Sequence, residues 1–192
     1  MATLPRDVQD SLNKQVAQLL KREFEKEVNE KFKKIKDELI LEFLNHPVTQ
    51  EIKAGPSSTN ISGTLGGVSN LFAFIGFEES DDPIAPILDL LNNIQIIYSG
   101  QINMGSKFNI TIPEATNIFS VTPMPWASGR SWAEGIEKGI SGLGYLLRNR
   151  SKNSRSGEAV QSSVKIRSGG FKNTQYISAL INKYKKRFDQ LK

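Results

Sequence analysis

The sequence contains few of the residues that most often carry chemistry. It has no cysteine and one histidine among 192 residues, which excludes a disulfide framework and a thiolate zinc site. No apolar run approaches the roughly 18 to 20 residues that span a bilayer. The first residues lead into a charged helix rather than the apolar core of a signal peptide. We therefore expect a protein that is made and kept in a cytoplasm, without a membrane partner.

Recognisable catalytic motifs are also missing. His46 lies beside Pro47 without the signature of a catalytic triad, and we interpret it as a helix-capping or surface histidine. Residues 142–147 lack the third glycine of a dinucleotide fingerprint, and no phosphate-binding loop is present. Glu134 and Glu137 share a helix turn, but nothing places them in a cleft. The sequence predicts a protein that is not an enzyme and has no cofactor.

Charge is distributed unevenly along the chain. Residues 1–100 hold 10 Lys/Arg and 15 Asp/Glu, a net charge of −5, whereas residues 101–192 hold 15 and 5, a net charge of +10. Such asymmetry is typical of proteins that bind nucleic acid at the basic end. It is also typical of chains that pack head to tail, with an acidic face against a basic one.

Basic residues are absent from a long central stretch. Residues 54–106 contain no lysine or arginine, so this part of the chain should form an acidic surface that suits the basic C-terminal half. The acidic run at residues 78–82 lacks the alternating oxygen ligands, central glycine and late glutamate of a calcium loop. We therefore predict no metal site there.

The N-terminal region shows the clearest periodicity. Apolar residues recur every three or four positions between residues 8 and 44, several of them eleven apart, which predicts an amphipathic helix with an almost straight apolar stripe. Pro47 disfavours the α conformation of His46, so the helix should end there. The stripe comprises Val8, Leu12, Val16, Leu19 or Leu20, Phe24, Val28, Phe32, Ile35, Leu39 and Phe43.

This helix is too long for a compact chain of 192 residues. About 37 residues at 1.5 Å each span roughly 55 Å, whereas a globule of this size has a diameter of about 40 Å. Part of the helix should project, and a projecting apolar stripe needs another protein or another copy of the chain to cover it. The alternative is a kink near Asn13 that divides the helix.

Both tryptophans lie in residues 121–132. Pro123 and Pro125 predict an extended loop or a sheet edge, because proline fixes φ and lacks an N–H donor. Ser128 or Ser131 can cap a following helix that extends to residue 147. Glycines inside this helix favour close approach of another backbone, either in the protein's own core or in a neighbouring subunit. They are Gly135, Gly139 and Gly142.

The remaining patterns predict an α+β fold. Residues 71–77 suit a buried strand or a helical turn, and Asp82-Pro83 should begin a short helix. Residues 94–121 alternate with period two and predict an antiparallel meander with turns at residues 99–100 and 104–105 and a last strand at 117–121. After a basic loop at residues 148–157 and a strand at 160–166, Asn173 or Thr174 should cap a C-terminal amphipathic helix.

We therefore expect a single domain over residues 1–192. The long helix, residues 1–46, packs on the meander and possibly projects from an α+β core formed by residues 47–192. A central glycine-containing helix and the C-terminal amphipathic helix complete this predicted architecture.

The order of these elements resembles virion proteins of tailed bacteriophages, especially neck and tail-completion proteins. An Arg-Ser-Gly segment at residues 155–157 enters a strand, as in those families. The Pro-Trp-x-x-Gly-Arg-Ser-Trp loop at residues 125–132 and the Asn-Leu-Phe-x-Phe-Ile-Gly-Phe run at residues 70–77 are also similar to such proteins. The resemblance implies a sixfold or twelvefold homo-oligomeric ring between portal and tail, with DNA passing through its lumen. It also implies assembly in the host cytoplasm and contacts with other virion proteins, such as portal, adaptor and tail proteins.

In such a ring the acidic face of one subunit would meet the basic loop of the next, in a heterologous contact. The tryptophan segment would contribute to the same surface. The predicted interface residues are Glu78, Glu79, Asp81, Asp82, Trp126, Trp132, Arg148, Arg150 and Arg155.

The alternative is a basic DNA-binding accessory protein without catalysis. Its cations would neutralise phosphates non-specifically and in a salt-sensitive way. No known reading module accompanies them. The predicted contacts are Arg148, Arg150, Lys152, Arg155, Lys165 and Arg167.

Overall fold

The computed structural model describes residues 5–65, 69–102, 105–139 and 174–191. The fold is α+β, as predicted, with helices around one core and two separate two-stranded antiparallel sheets. The helices are α1 (Arg6–Asn45), α2 (Pro47–Lys53), α3 (Leu71–Ile75), α4 (Ala85–Asn92), α5 (Ala115–Ser120), α6 (Trp132–Lys138) and α7 (Ile177–Asp189). The strands are β1 (Gln95–Ile102), β2 (Gly105–Thr111), β3 (Pro123–Met124) and β4 (Ala127–Ser131).

The long N-terminal helix is confirmed. α1 is one helix of 40 residues, so the alternative of two helices separated by a kink near Asn13 is wrong. It ends where His46 adopts an extended backbone before Pro47, as proline requires. The His46 side chain accepts a hydrogen bond from the Val48 N–H and caps α2, which confirms the predicted capping role.

The core forms where one face of α1 meets α7 and the short helices. Val28, Phe32, Leu39 and Phe43 of α1 are buried, and the Phe32 ring lies 5.4 Å from the ring of Phe188 on α7. Burying each large apolar side chain stabilises the fold by about 1.5–3 kcal/mol. The second half of α1 is therefore an integral part of the core.

Tyr176 lies at the centre of the core, just before α7. It is 1% exposed, and its ring lies 6.1 Å from that of Phe43, 4.8 Å from that of His46 and 6.4 Å from that of Trp132. Its hydroxyl forms a 2.8 Å hydrogen bond with Thr49. Burial raises the Tyr176 pKa, so the hydroxyl stays neutral.

The predicted meander is only partly correct. β1 and β2 form an antiparallel hairpin, but β1 continues through the turn predicted at residues 99–100, with an irregularity between Tyr98 and Gly100. Residues 117–121 do not form a strand, because Glu114 and Asn117 form a capping box that starts α5. The tryptophan segment instead forms its own hairpin, β3–β4, in which Pro123 pairs with Ser131.

The central helix is shorter in the described residues than the sequence predicted. Ser131 caps α6 by accepting a hydrogen bond from the Glu134 N–H. Gly139, with φ +106°, follows the last helical residue, so the prediction that it lies inside the helix is wrong. Residues 140–147, Gly142 among them, fall outside the described part of the chain.

Two other helix starts differ in detail. For residues 71–77 the predicted helical turn is confirmed and the alternative of a strand is wrong: they contain α3, capped by Asn70 and ended by Gly76 at φ +90°. Asp82 accepts hydrogen bonds from the Ile84 and Ala85 N–H groups, so it supports the start of α4, although the helix itself begins at Ala85.

The C-terminal helix is confirmed as α7. Its N-cap is Tyr176, so the prediction that Thr174 caps it is wrong. Asn173, the basic loop at residues 148–157 and the strand predicted at residues 160–166 lie outside the described residues.

Candidate subunit interface

The first half of α1 lies outside the core. Each side chain described between Pro5 and Phe24 is exposed, and Val28 is the first buried residue in the described part of the helix. Lys21 and Phe24 contact the Tyr98 and Phe108 rings of the β1–β2 hairpin, so about 15 residues, roughly 22 Å at 1.5 Å each, precede these contacts. The described side chains of this half are not covered by the rest of the described chain, and the projection of α1 stays a prediction.

Four apolar side chains form a stripe on this half of α1, which we call the exposed stripe. Val8, Leu12, Val16 and Leu19 are 37%, 45%, 52% and 60% exposed. Their spacings of 4, 4 and 3 place them on one face of a helix. Exposed neutral polar side chains flank them: Gln9, Ser11, Gln15 and Gln18. The exposed stripe is thus an apolar ridge with these neutral polar side chains beside it.

The exposed stripe does not continue the face of α1 that packs into the core. At about 100° per residue, its residues centre roughly on the opposite side of the helix from Val28, Phe32, Leu39 and Phe43. α1 thus has two apolar faces. One belongs to the protein's own core, and the other faces outward.

The predicted acidic residues lie together on the surface. Glu78, Glu79, Asp81 and Asp82 are exposed, and none of them takes part in an ion pair between described residues. Asp81 accepts a 2.8 Å hydrogen bond from the Glu78 N–H, which closes the turn. Their negative charge is therefore not compensated by the described part of the subunit.

The tryptophan hairpin lies beside this acidic turn. The Trp126 indole donates a 2.6 Å hydrogen bond to the Ile75 carbonyl, and the Phe77 ring lies 5.9 Å from the Trp132 ring. Because Glu78 directly follows Phe77, the structure brings the acidic and tryptophan parts of the predicted interface together.

The two tryptophans have different positions. Trp126 is half-buried, so part of it remains at the surface. Trp132 is 1% exposed and packs between Phe77 and Tyr176. The prediction that Trp132 lies in a subunit interface is therefore wrong for this state of the subunit, because its ring already fills the core.

The predicted basic contacts cannot be placed. Residues 148, 150, 152, 155, 165 and 167 all fall outside the described part of the chain. This concerns Arg148, Arg150 and Arg155 of the predicted interface and also Lys152, Lys165 and Arg167 of the alternative DNA contact.

A polar cluster that the sequence analysis missed fixes α1 against α7. Glu42 pairs with Lys183 at 2.7 Å and accepts a 2.8 Å hydrogen bond from the Tyr184 hydroxyl, while Glu38 pairs with Arg187 at 2.6 Å. The signal was present in the sequence as matching i,i+4 pairs, Glu38 and Glu42 on one helix and Lys183 and Arg187 on the other.

The pKa values in this cluster shift as its contacts require. The hydrogen bonds from Lys183 and Tyr184 hold the pKa of Glu42 below its usual 4.5. Burial, followed by the hydrogen bond to Glu42, raises the pKa of Tyr184 to about 12. The cluster is therefore an ionised clamp between α1 and α7 at neutral pH.

Three further polar groups have structural partners. Glu51 is buried and accepts 2.7 Å hydrogen bonds from the Ser62 and Leu71 N–H groups. Glu137 accepts hydrogen bonds from Ser178, and Glu134 pairs with Lys138 at 2.6 Å. Glu134 and Glu137, which share a helix turn, thus hold different partners. Sequence analysis missed the role of Glu51, because its two partners lie 11 and 20 residues away.

Within the described ranges, no group of three or more His, Asp or Glu residues is arranged to hold a metal ion. No helix in the same ranges is long and apolar enough to cross a membrane. The exposed stripe and the acidic turn are thus two surface features that the described part of the subunit does not cover or neutralise.

Comparison with protein-family models, with curated proteins and with solved structures finds no match to this chain. Inference about its function therefore depends on the residues and on the geometry described above.

Proposed function

We propose that this protein is a structural virion protein that forms an oligomeric ring at the head–tail junction of a tailed bacteriophage, as a neck or tail-completion protein. The exposed stripe on α1 carries the proposal. Exposing four apolar side chains on one face of a helix to water is unfavourable. This unfavourable free energy is removed when another protein covers the side chains.

The energetics favour several contacts over one. Complete burial of a valine or leucine contributes about 1.5–3 kcal/mol, while association costs an estimated 4–15 kcal/mol of translational and rotational freedom. The exposed stripe alone gives a weak pair. A ring in which every subunit uses the stripe and also the acidic turn gains more contacts for each copy added.

The rigidity of α1 supports a closed assembly. The Glu38–Arg187 and Glu42–Lys183 pairs and the buried face of α1 anchor the helix along its second half. Since the helix is continuous, the first half has a fixed direction. A fixed direction between neighbours is what closes a ring, because each heterologous contact repeats the same rotation.

The charge distribution supports the same arrangement. The acidic turn has no ion-pair partner among the described residues, and residues 101–192 have a net charge of +10. Contact between the acidic turn of one subunit and Arg148, Arg150 and Arg155 of the next would compensate the negative charge of the turn and the positive charge of the arginines. The resemblance to neck and tail-completion proteins supplies the biological setting.

The test is the oligomeric state of the purified protein. Native mass spectrometry and size-exclusion chromatography with light scattering should show a ring-sized assembly for the natural sequence, and negative-stain electron microscopy should show a central opening. The variant Leu12→Asp/Val16→Asp should lower association about tenfold or more, because it places two charges in a buried stripe.

A matched control is available on the same helix. Ser11→Asp/Gln18→Asp adds the same charge to exposed positions beside the stripe and should leave assembly unchanged. A natural sequence that stays monomeric at high concentration would rule out the proposal, and so would a control that fails as badly as the stripe variant.

A second candidate is a DNA-binding accessory protein, favoured by the basic residues between positions 148 and 167. It predicts a monomer or dimer whose affinity for duplex DNA falls steeply with salt. Native mass spectra recorded with and without a short DNA duplex separate the two candidates, because only the ring forms without DNA.

A further inference from the structure

An apolar groove lies on the same subunit as the exposed stripe. Its volume is about 480 Å³, and it is bounded by the middle of α1, the β1–β2 hairpin and the end of α7. Most of the residues that line it are apolar, although the surface they expose includes as much polar as apolar area, and Lys185 and Asp189 of opposite charge also lie at the groove. The apolar lining includes Phe24, Val28, Phe108, Ile110, Phe188 and Leu191.

The exposed stripe cannot enter the groove of its own subunit. Leu19, the closest stripe residue, precedes Phe24 by five residues, about 7.5 Å along the helix axis. The helix is unbroken between them, and the stripe faces roughly the opposite side of α1 from Val28. Any helix that fills the groove with this stripe must therefore come from another copy.

The geometry points to a head-to-tail contact in which the exposed stripe of one copy occupies the groove of the next copy. The inference rests on the proposed ring and names the two surfaces that form it. Laying an amphipathic helix into an apolar groove is a common mode of recognition, read through anchors at i, i+4 and similar spacings. Val8, Leu12, Val16 and Leu19 supply such anchors over about 16 Å of helix.

The polar surroundings of the two surfaces also fit. Gln9 and Gln15 flank the stripe and carry both donors and acceptors. Lys185 and Asp189 at the groove are exposed and can take an acceptor and a donor respectively. A glutamine pair satisfies both charges without placing a like charge against either.

The competing arrangement is a stripe paired with a second stripe. That contact is isologous and closes at two copies, so it leaves the groove open on both of them. Placing stripe in groove covers both apolar surfaces with one repeated contact. It also generates a ring or filament, which an isologous stripe pair alone does not.

Filling the groove tests the contact without burying a charge. Ser106 lines the groove and is half-buried, so Ser106→Trp should block it and weaken association about tenfold or more. Lys107→Trp is the matched control, because the next residue of a strand points to the opposite face and Lys107 is exposed. Circular dichroism and thermal unfolding verify that both variants fold.

Complementation decides between the two arrangements. Leu12→Asp/Val16→Asp keeps an intact groove, and Ser106→Trp keeps an intact stripe. When the two weakly associating variants are mixed, light scattering should show a one-to-one heterodimer. A stripe-to-stripe contact predicts that Ser106→Trp assembles normally, and that result would overturn the inference while leaving the proposed ring in place.

Cross-linking gives an independent measurement. The chain has no cysteine, so Leu12→Cys and Ser106→Cys each carry a single thiol. Under oxidising conditions the mixture should form a disulfide-linked dimer joining residue 12 to residue 106, and neither variant should form one alone. Self-linking of Leu12→Cys would overturn the inference, whereas a natural sequence that never associates would overturn the proposed function as well.

Discussion

Glu137 on α6 accepts two hydrogen bonds from Ser178 on α7, one from the backbone N–H at 2.7 Å and one from the hydroxyl at 2.6 Å. α7 begins after Tyr176, whose side chain makes no capping hydrogen bond. A carboxylate from a different helix thus caps α7, and its negative charge also suits the positive end of the helix dipole.

Replacing Glu137 should destabilise the protein through this cap. Glu137→Ala leaves the Ser178 N–H without its acceptor and should lower the free energy of unfolding by about 1–3 kcal/mol. Urea denaturation measures the effect. Glu134→Ala is the control, because Glu134 pairs only with the exposed Lys138 side chain and should cost no more than about 0.5 kcal/mol. Equal losses in the two variants would contradict the capping role.

Glu51 should hold the loop between α2 and α3 in place. Glu51→Gln replaces one acceptor oxygen with an amide donor that faces a backbone N–H, so it should cost about 1–3 kcal/mol. The change should also speed limited proteolysis at residues 54–65, because the Ser62 N–H loses its anchor. Glu79→Gln, at an exposed position, should change stability by less than about 0.5 kcal/mol. Unchanged proteolysis would show that other contacts hold the loop.

His46 should make stability depend on pH. Burial lowers its pKa below 6.5, and a hydrogen bond with the Gln175 backbone and the charge of Glu42 oppose this only in part. The unfolded chain therefore binds the proton more readily than the folded protein does. The contribution of His46 is complete above pH 6.5 and is lost as the pH falls through the lower pKa of the folded state.

The measurement for His46 compares the free energy of unfolding at pH 7.5 and at pH 5.5. The natural sequence should lose stability between these values. His46→Asn keeps a side-chain acceptor for the Val48 N–H but does not titrate, so its loss should be smaller. Glu42 does not confuse the comparison, since its pKa lies below 4.5. An identical pH dependence in the two proteins would exclude His46 as the cause.

The ion pair between Glu42 and Lys183 should add little to stability despite its short distance. Both side chains are about half exposed, at 41% and 54%, so solvent screens the pair. A double-mutant cycle with alanine at both positions should give a coupling of about 0.2–1 kcal/mol, and salt should reduce it. A coupling above about 2 kcal/mol would mean that the clamp stabilises the fold as well as joining α1 to α7.

Reversing charge should control assembly from both sides of the proposed contact. Arg148→Glu/Arg150→Glu/Arg155→Glu should abolish the ring in light scattering, and Glu78→Lys/Glu79→Lys should weaken it, because each places like charges against each other. Glu30→Lys, at another exposed acidic position, should leave assembly unchanged. Mixing the two reversed proteins should restore it. Unchanged ring formation in the arginine variant would eliminate the acidic–basic contact.

Local sequence patterns were sufficient to predict helices that have a long periodic pattern or a strong capping residue. The periodic stripe and Pro47 predicted α1 and its end, and Ser131 was one of two predicted caps for α6. These features depend on neighbours within about four residues, through the helical period and the capping geometry. The same local signals misplaced residues 117–121, because Ile118, Phe119 and Val121 are residue types that favour a strand, while Glu114 and Asn117 form a capping box that starts a helix.

The candidate interface was predicted less completely than the helices. The acidic run and the long apolar stripe were visible in the sequence, since composition and helix length follow from it directly. Whether Trp132 faces outward was not visible. The ring of Trp132 packs against Phe77 and Tyr176, which lie 55 and 44 residues away along the chain. A local sequence pattern does not show contacts between residues so far apart.

The sequence by itself determined that this protein has a long amphipathic helix, an acidic centre and a basic end, because those properties are sums over neighbouring residues. Only the tertiary structure decided which apolar side chains the subunit covers and which it leaves in water. Burial depends on where α7 and the β1–β2 hairpin end along α1, and that position is set by contacts such as Phe32 with Phe188, 156 residues apart in the chain. The described core begins at Val28, so apolar side chains stabilise the fold on one face of the second half of α1, and those on another face of the first half remain available to a neighbour.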